Sequence, residues 1–162
     1  MKKNIISVWV ENQAGVLSRV TALFGETGFN IDSLAVGITE RFDVSRITIV
    51  TEGNEEMMEA IISKLNQITS LIKVKKITEG ESVLRELALI MVEAPEARRS
   101  DIINIVEIFR AQIVDVGYNT MTVEISGDQD KIHALEDLLH PFGIREIVRT
   151  GTIAIDRGIR RI

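Results

Sequence analysis

Apolar and polar positions alternate along this chain in short blocks that change period repeatedly. Ile5 to Val10 is rich in β-formers and reads as a strand. Val16, Leu17, Val20, Leu23 and Phe24 then recur at helical spacing, and Gly28 supplies a helix stop. Phe29, Ile31 and Val36 mark a second strand. Val44 to Thr51 is a third, with Ile47 and Ile49 on one face and Thr48 and Val50 on the other. Asn54 is placed to cap a second helix, with Glu55 and Glu56 in the first turn, where negative charge is favoured. Met58, Ile61, Ile62 and Leu65 form its buried stripe, and Leu71 to Ile77 is a fourth strand. The order is βαββαβ.

Glu79-Gly80-Glu81-Ser82 is short, polar and glycine-bearing, so the boundary is placed there, giving domains 1–80 and 81–162. The order then repeats. Leu84 to Val92 is a strand, and Ile102, Ile105, Val106 and Phe109 mark a helix with Ser100 as its cap. Ile113 to Val116 and Met121 to Ile125 are strands separated near Gly117-Tyr118-Asn119. Asp128 caps a helix carrying Ile132, Leu135 and Leu139. Pro141 and Gly143 end it, and Ile144 to Ile155 holds the last strand or strands. The fold class is α+β, two tandem ferredoxin-like βαββαβ units.

Each unit is of a size at which a lone core is marginal. Two helices cover one face of each sheet. The other face also carries apolar residues, since Ile6, Val8 and Val10 stand opposite Ile5 and Trp9. Pairing of sheets, within the chain or between chains, is the economical cover, and a dimer is expected. The alternative is sparse exposure that needs no partner.

Composition narrows the classes. The 162 residues are 45% apolar and only 4% aromatic, so the core is aliphatic. The net charge of −5 argues against a nucleic-acid surface. With no cysteine, disulfides, thiolate metal sites and thiol catalysis are excluded, and a cytoplasmic location fits. No apolar run reaches the length of a membrane span, and Met1 to Val10 is too short for a signal segment.

Catalytic chemistry is hard to find. His133 and His140 are seven apart, but Pro141 adjoins the second and no carboxylate pattern completes a metal triad. They read as surface residues. Glu55, Glu56, Glu59, Glu136 and Asp137 are solvated charges on helix faces. Ser18 has no histidine on a nearby segment to activate it, and no phosphate loop is present. Arg98-Arg99 reads as a solvated turn. The tail Arg157 to Ile162 is either a frayed end or a contact for an acidic partner.

The first loop is different. Glu11-Asn12-Gln13-Ala14-Gly15-Val16-Leu17 puts a glycine at a helix entrance, and Gly28-Phe29-Asn30-Ile31 puts an Asn at the next strand. Glycine admits a ligand to bare backbone. A helix entrance offers free N–H groups and positive dipole, which suit a carboxylate. Asn supplies both a donor and an acceptor. Either residue alone could be a turn or cap residue. Within one chain they stand a helix apart, roughly 18–20 Å, too far to share a small ligand. In a two-fold dimer with antiparallel helices, Asn30 of one chain can approach Gly15 of the other, making two equivalent sites.

The first unit resembles the ACT domain, a module that binds amino acids. Residues 11–20, Gly28-Phe29-Asn30-Ile31-Asp32-Ser33-Leu34 and Ser45-Arg46-Ile47-Thr48-Ile49-Val50 are similar to the small subunit of acetohydroxyacid (acetolactate) synthase. Glu107 to Val116 is similar to that family's C-terminal signature, which isolated ACT modules lack. The resemblance implies a non-catalytic regulatory subunit in branched-chain amino-acid synthesis, the isoleucine branch included. Its partner would be a large subunit carrying thiamine diphosphate, Mg and FAD, and this chain would hold no cofactor of its own. It would activate that subunit, confer feedback inhibition by valine, and form a homodimer through its ACT domains. Valine would meet Asn12, Ala14, Gly15, Val16 and Leu17 from one protomer, and Asn30 and Ile31 from the other. Val16, Leu17 and Ile31 would form the apolar wall. Glu93-Ala94-Pro95-Glu96-Ala97, the equivalent loop of the second unit, lacks the glycine and is not expected to bind valine in this manner. The alternative is a free-standing ACT-type sensor acting on another enzyme or a transcription factor. A small enzyme on this scaffold fits poorly.

Overall fold

The computed structural model describes residues 3–158. The chain up to Val83, joined by the segment from Thr152, forms one compact unit, and Leu84–Gly151 forms the other. The sequence pattern places everything after residue 80 in the second domain. Instead the chain comes back to the first unit after Gly151, because the last strand finds its polar partners there.

The first unit contains β1 (Lys3–Glu11), α1 (Val16–Glu26), β2 (Ile31–Ile38), β3 (Val44–Glu52), α2 (Glu55–Leu65) and β4 (Leu71–Ile77). The strands form an antiparallel sheet in the order β2-β3-β1-β4. Ile6 pairs with Ile49, and Val8 with both Ile47 and Val74, so one face is aliphatic across the sheet. That face meets Val16, Val20 and Phe24 of α1 and Met58, Ile61 and Leu65 of α2. Each such side chain, fully buried, contributes roughly 1.5–3 kcal/mol. Ile6, Val8 and Val10 therefore belong to the helix-covered core, and the open face carries Ile5, Ser7 and Trp9.

Local chemistry sets the helix ends. Gly28, at φ 74°, follows α1. Its N–H donates to the Gly25 carbonyl, and the Phe29 N–H to that of Phe24, the paired bonds of a Schellman motif. The Phe24 and Phe29 rings meet edge to face at 6.3 Å and add the usual apolar clasp. Asn54 caps α2 by accepting from the Met57 N–H at 2.9 Å.

The second unit repeats the plan with β5 (Ser82–Glu93), α3 (Arg99–Ile108), β6 (Gln112–Val116), β7 (Thr120–Gly127), α4 (Gln129–Leu139) and β8 (Ile144–Arg149), in the order β6-β7-β5-β8. Ala88, Ile90, Val92, Val123 and Ile125 face Ile102, Val106, Ile132, Leu135 and Leu139. Asp128 caps α4 through the Lys131 N–H at 2.9 Å. Ser100 does not cap α3. The helix begins at Arg99 after a 3-10 turn over Glu96–Arg98, which places Ser100 inside the first turn. At the other end of α3, Arg110 takes the position that Gly28 holds in the first unit. It has φ 52°, and the Ala111 N–H donates to the Val106 carbonyl.

A ninth strand, β9 (Ile153–Asp156), pairs with β5, and the following Arg157 N–H donates to Glu81. The Thr152 N–H donates to Ser33 Oγ on β2 at 3.0 Å. Asp156 accepts from Lys75 on β4 and from Ser82 Oγ. Ser33 and Lys75 stand on the two edge strands, on the open face. The segment from Thr152 to Asp156 therefore crosses that face. Four extended steps span about 13 Å and three strand spacings about 14 Å, so the fit is natural. The open face thus has a cover from its own chain, a strand segment where the sequence leads one to expect pairing of sheets within or between chains.

Candidate functional site

Gly15 precedes α1 with φ 84°, a left-handed conformation that favours glycine. A Cβ built on it meets nothing within 4 Å, so the space in front of the helix entrance is open. No side chain caps α1, and its first turn carries no acidic residue. The other described helices differ. α2 and α4 are capped by Asn54 and Asp128, and α3 has Asp101 in its first turn. The Val16 N–H turns back to the Gln13 carbonyl at 3.4 Å, but no side chain offsets the positive dipole of the α1 entrance, the electrostatics that suit an anion.

Asn12 is fastened to the β2–β3 connection. Its N–H donates to Asp43 at 2.8 Å. Nδ2 donates to the Phe42 carbonyl at 3.1 Å, and Oδ1 accepts from Ser45 Oγ at 3.1 Å. Its side chain sets the position of the Gly15 loop. Sequence reasoning missed Phe42 and Ser45 because they lie about thirty residues away. At the tip of this connection Arg41 donates to Asp43 and holds its carboxyl below the usual carboxylate range. Glu11, Asn12, Gln13, Phe42 and Asp43 line a depression of about 400 Å³. Its two carboxylates make it the wrong place for an amino-acid carboxylate, whereas the neighbouring Gly15 entrance suits one.

The remaining predicted residues separate into three groups. Ala14 is exposed beside Gly15, and Leu17 is 39% exposed at the first turn. Val16 is 1% exposed and packs in the core with Val20 and Phe24, so its side chain forms no apolar wall at the surface. The helical stripe that faces the sheet starts at Val16, which leaves Leu17 outside. Asn30 and Ile31 lie at the far end of α1, whose 11 residues span about 16 Å. Asn30 is exposed. Its carbonyl accepts from Thr51 Oγ1 at 2.5 Å and its Nδ2 donates to Asp32 Oδ1 at 3.1 Å. Ile31 packs partly into the core. Gly15 and Asn30 of one chain do not meet.

The other singled-out residues have structural partners. Arg99 donates to the carbonyls of Ala94, Gly117 and Tyr118, clamping the start of α3 to the β6–β7 turn. Arg98 lies over the Phe142 ring at 4.1 Å. The pair is thus more than a solvated turn. His133 Nδ1 lies 3.2 Å from Glu136, which also binds Arg149. Among the described residues, no group of three or more His, Cys, Asp or Glu is placed to hold a metal, and no helix is long and apolar enough to cross a membrane. Of the basic tail, residues 159–162 lie outside the described residues.

Comparison with known proteins agrees with this architecture. Residues 6–73 match the AHAS small subunit-like ACT domain, and residues 85–158 match the small subunit of acetolactate synthase. The chain is 50% identical to the probable acetolactate synthase small subunit of Archaeoglobus fulgidus, over 98% of this chain and 99% of that one. It is 47% identical to the acetolactate synthase small subunit of Mycobacterium bovis, over 99% and 96%. The crystal structure of the acetolactate synthase small subunit from Thermotoga maritima superposes with a TM-score of 0.91 at 34% identity, covering 99% of this chain and 100% of that one. With both units matched over their length and the whole chain aligned to such relatives, the protein belongs to the family of acetolactate synthase small subunits.

Proposed function

We propose that this chain is the regulatory subunit of an acetolactate synthase, and that it binds valine at the α1 entrance. The carboxylate sits against the N–H groups that follow Gly15, and Leu17 meets the aliphatic side chain. Asn30 and Ile31 of a second protomer complete the site, since one chain cannot bring both ends of α1 to one small ligand. β2 supports such pairing. It is an edge strand, and Val36 and Ile38 on it are exposed. The carrying observation is the uncapped, acid-free, left-handed Gly15 entrance in a chain of this family.

Valine can regulate only by binding one conformation of the assembly more tightly than another. The catalytic chemistry belongs to a large subunit carrying thiamine diphosphate, and this chain adjusts its rate. The test mixes the purified chain with a synthase large subunit and measures acetolactate formation with and without valine. Activation together with valine inhibition is expected. Amino-acid binding without any effect on the synthase means a sensor for another target, and turnover by the isolated chain means an enzyme.

A further inference from the structure

With β9 across it, the open face of the first sheet buries Ile5, Ser7 and Thr48. The segment is firmly held. It pairs with β5, and the Arg157 N–H beyond it donates to Glu81. A register shift at Asp32 turns Ser33 to this face, where Oγ accepts the Thr152 N–H at 3.0 Å. Asp156 accepts from Lys75 and from Ser82 Oγ. Thr152 and Ala154 are buried against the sheet, so Ile153 and Ile155 are turned outward, 59% and 64% exposed. Two isoleucines thus stand in solvent on a fixed backbone, where binding costs little ordering.

Beside this segment one registered row crosses all four strands, through Gly37, Arg46, Trp9 and Lys73. It lies one two-residue step, about 7 Å, from the Ser7 and Lys75 row at which Asp156 is anchored. Trp9 is half-buried between two cations. The Arg46 guanidinium is 4.4 Å from the ring centroid and the Lys73 ammonium 5.1 Å. Among the described residues neither cation makes an ion pair. Arg46 donates through Nη2 to Ser7 Oγ at 3.0 Å, while its Nε is buried with no hydrogen-bond partner. Burial works against its charge more than the charges of Asp156 and Glu40 support it. Asp156 itself is taken by Lys75.

We propose that Ile153, Ile155, Trp9, Arg46 and Lys73 form the surface that receives the synthase large subunit, through a segment carrying carboxylates beside aliphatic side chains. Carboxylates meet Arg46 and Lys73, and the aliphatic part covers the two isoleucines and the indole edge. An apolar centre with a charged rim, anchored by Trp and Arg, is the usual make-up of a specific interface. A carboxylate on Arg46 supplies the counter-charge that the chain itself does not. The surface rests on the regulatory-subunit reading above and adds to it the place and chemistry of contact. It lies on the face opposite α1, so effector and large subunit occupy different sides of one sheet.

The test measures binding of the full chain to a purified large subunit by interferometry, with acetolactate formation as a second readout. Lys73→Glu is expected to weaken binding by at least about tenfold and Ile155→Ser by about fivefold. Lys73→Gln flattens the salt dependence of binding, and an unchanged dependence overturns the proposal. Lys76→Glu is the control, a reversal on the same strand but beside Glu55 on the helix side, and it stays within about twofold of wild type. Lys73 and Ile155 are exposed, so melting temperatures stay within a few degrees and the variants report contact rather than folding. Binding within about twofold of wild type by either Lys73→Glu or Ile155→Ser overturns the proposal, as does an equal loss in Lys76→Glu. Sedimentation of the chain alone is unchanged in both variants; lost self-association assigns the face to a second copy and overturns the proposal. A wild-type chain that binds no large subunit removes the regulatory-subunit reading and the surface with it, whereas wild-type binding with unaffected variants removes the surface alone.

Discussion

Ser45 Oγ donates to Asn12 Oδ1 at 3.1 Å, joining the loop before α1 to β3. The same Asn12 holds the Phe42 carbonyl, so the loop that carries Gly15 moves with the β2–β3 connection. Ser45 is buried and Asn12 is exposed, so the bond is shielded on one side only. Ser45→Ala is expected to lower stability by about 1 kcal/mol and to weaken valine binding several-fold by loosening the entrance. Thermal melting and calorimetry on one preparation check both effects. Unchanged affinity would show that the entrance is rigid without this bond.

Gly15 has open space around it but a left-handed backbone. Gly15→Asn should therefore fold well, because Asn tolerates this conformation, and it should bind valine more weakly through bulk alone. Gly15→Asp adds a charge facing the ligand carboxylate and is expected to cost at least about 100-fold in affinity, or about 2.7 kcal/mol. Both melting temperatures should stay within a few degrees of wild type. Normal valine binding by Gly15→Asp in calorimetry means the ligand sits elsewhere.

A site shared between protomers makes a prediction that a one-chain site does not. Gly15→Asp and Asn30→Ala chains are each expected to bind no valine. Mixed and allowed to exchange subunits, they form hybrid dimers in which one site is doubly altered and the other is intact. Random assortment restores about one quarter of all sites. Titration of the mixture counts them, and a mixture as inactive as its components excludes the shared site.

Arg110 holds φ 52° at the end of α3, where the first unit uses Gly28. A residue with a side chain is strained there by about 1 kcal/mol. Arg110→Gly removes the strain and keeps the Ala111-to-Val106 bond. Its expected gain is about 1 kcal/mol less the added entropy of glycine in the unfolded chain, a rise of about 2–4 °C at most. A lower melting temperature would show that the guanidinium contributes more than the strain costs.

Asp156 adds a pH dependence. The Lys75 hydrogen bond is the largest influence on its carboxyl and lowers its pKa. Desolvation opposes this, while the Lys75 charge, Ser82 and the Arg46 charge assist. A carboxyl lowered in the folded state stabilises above its unfolded value of about 3.9 and loses that contribution as pH falls through the folded value. Wild type should therefore melt above Asp156→Asn near neutral pH, and the two should converge as the pH falls below the unfolded value and through the lowered folded one. A difference that stays constant across that range would assign the effect of Asp156→Asn to packing.

Local chemistry made much of the fold legible. β4 runs over Leu71–Ile77 as its pattern predicts, Asn54 and Asp128 cap as predicted, and Gly28 ends α1. Each depends on residues within a few positions of one another, where residue type limits the backbone directly. Gly15 was legible for the same reason. Helical spacing marked Val16 and Leu17 together, but only packing against β1 and β3 showed that Val16 turns inward and Leu17 does not.

The sequence by itself determined the two βαββαβ units, their helix ends and the glycine-bearing entrance, because periodicity and capping act within a few residues. Tertiary structure alone decided that Asn12 is held by Phe42 and Ser45, that Arg99 clamps a distant turn, and that Thr152 returns to Ser33. Those contacts join polar groups far apart in the chain. Their partners are chosen by sheet order and by one extra residue at Asp32, which turns Ser33 to the open face. No local pattern encodes that choice, since it follows from which strands become neighbours.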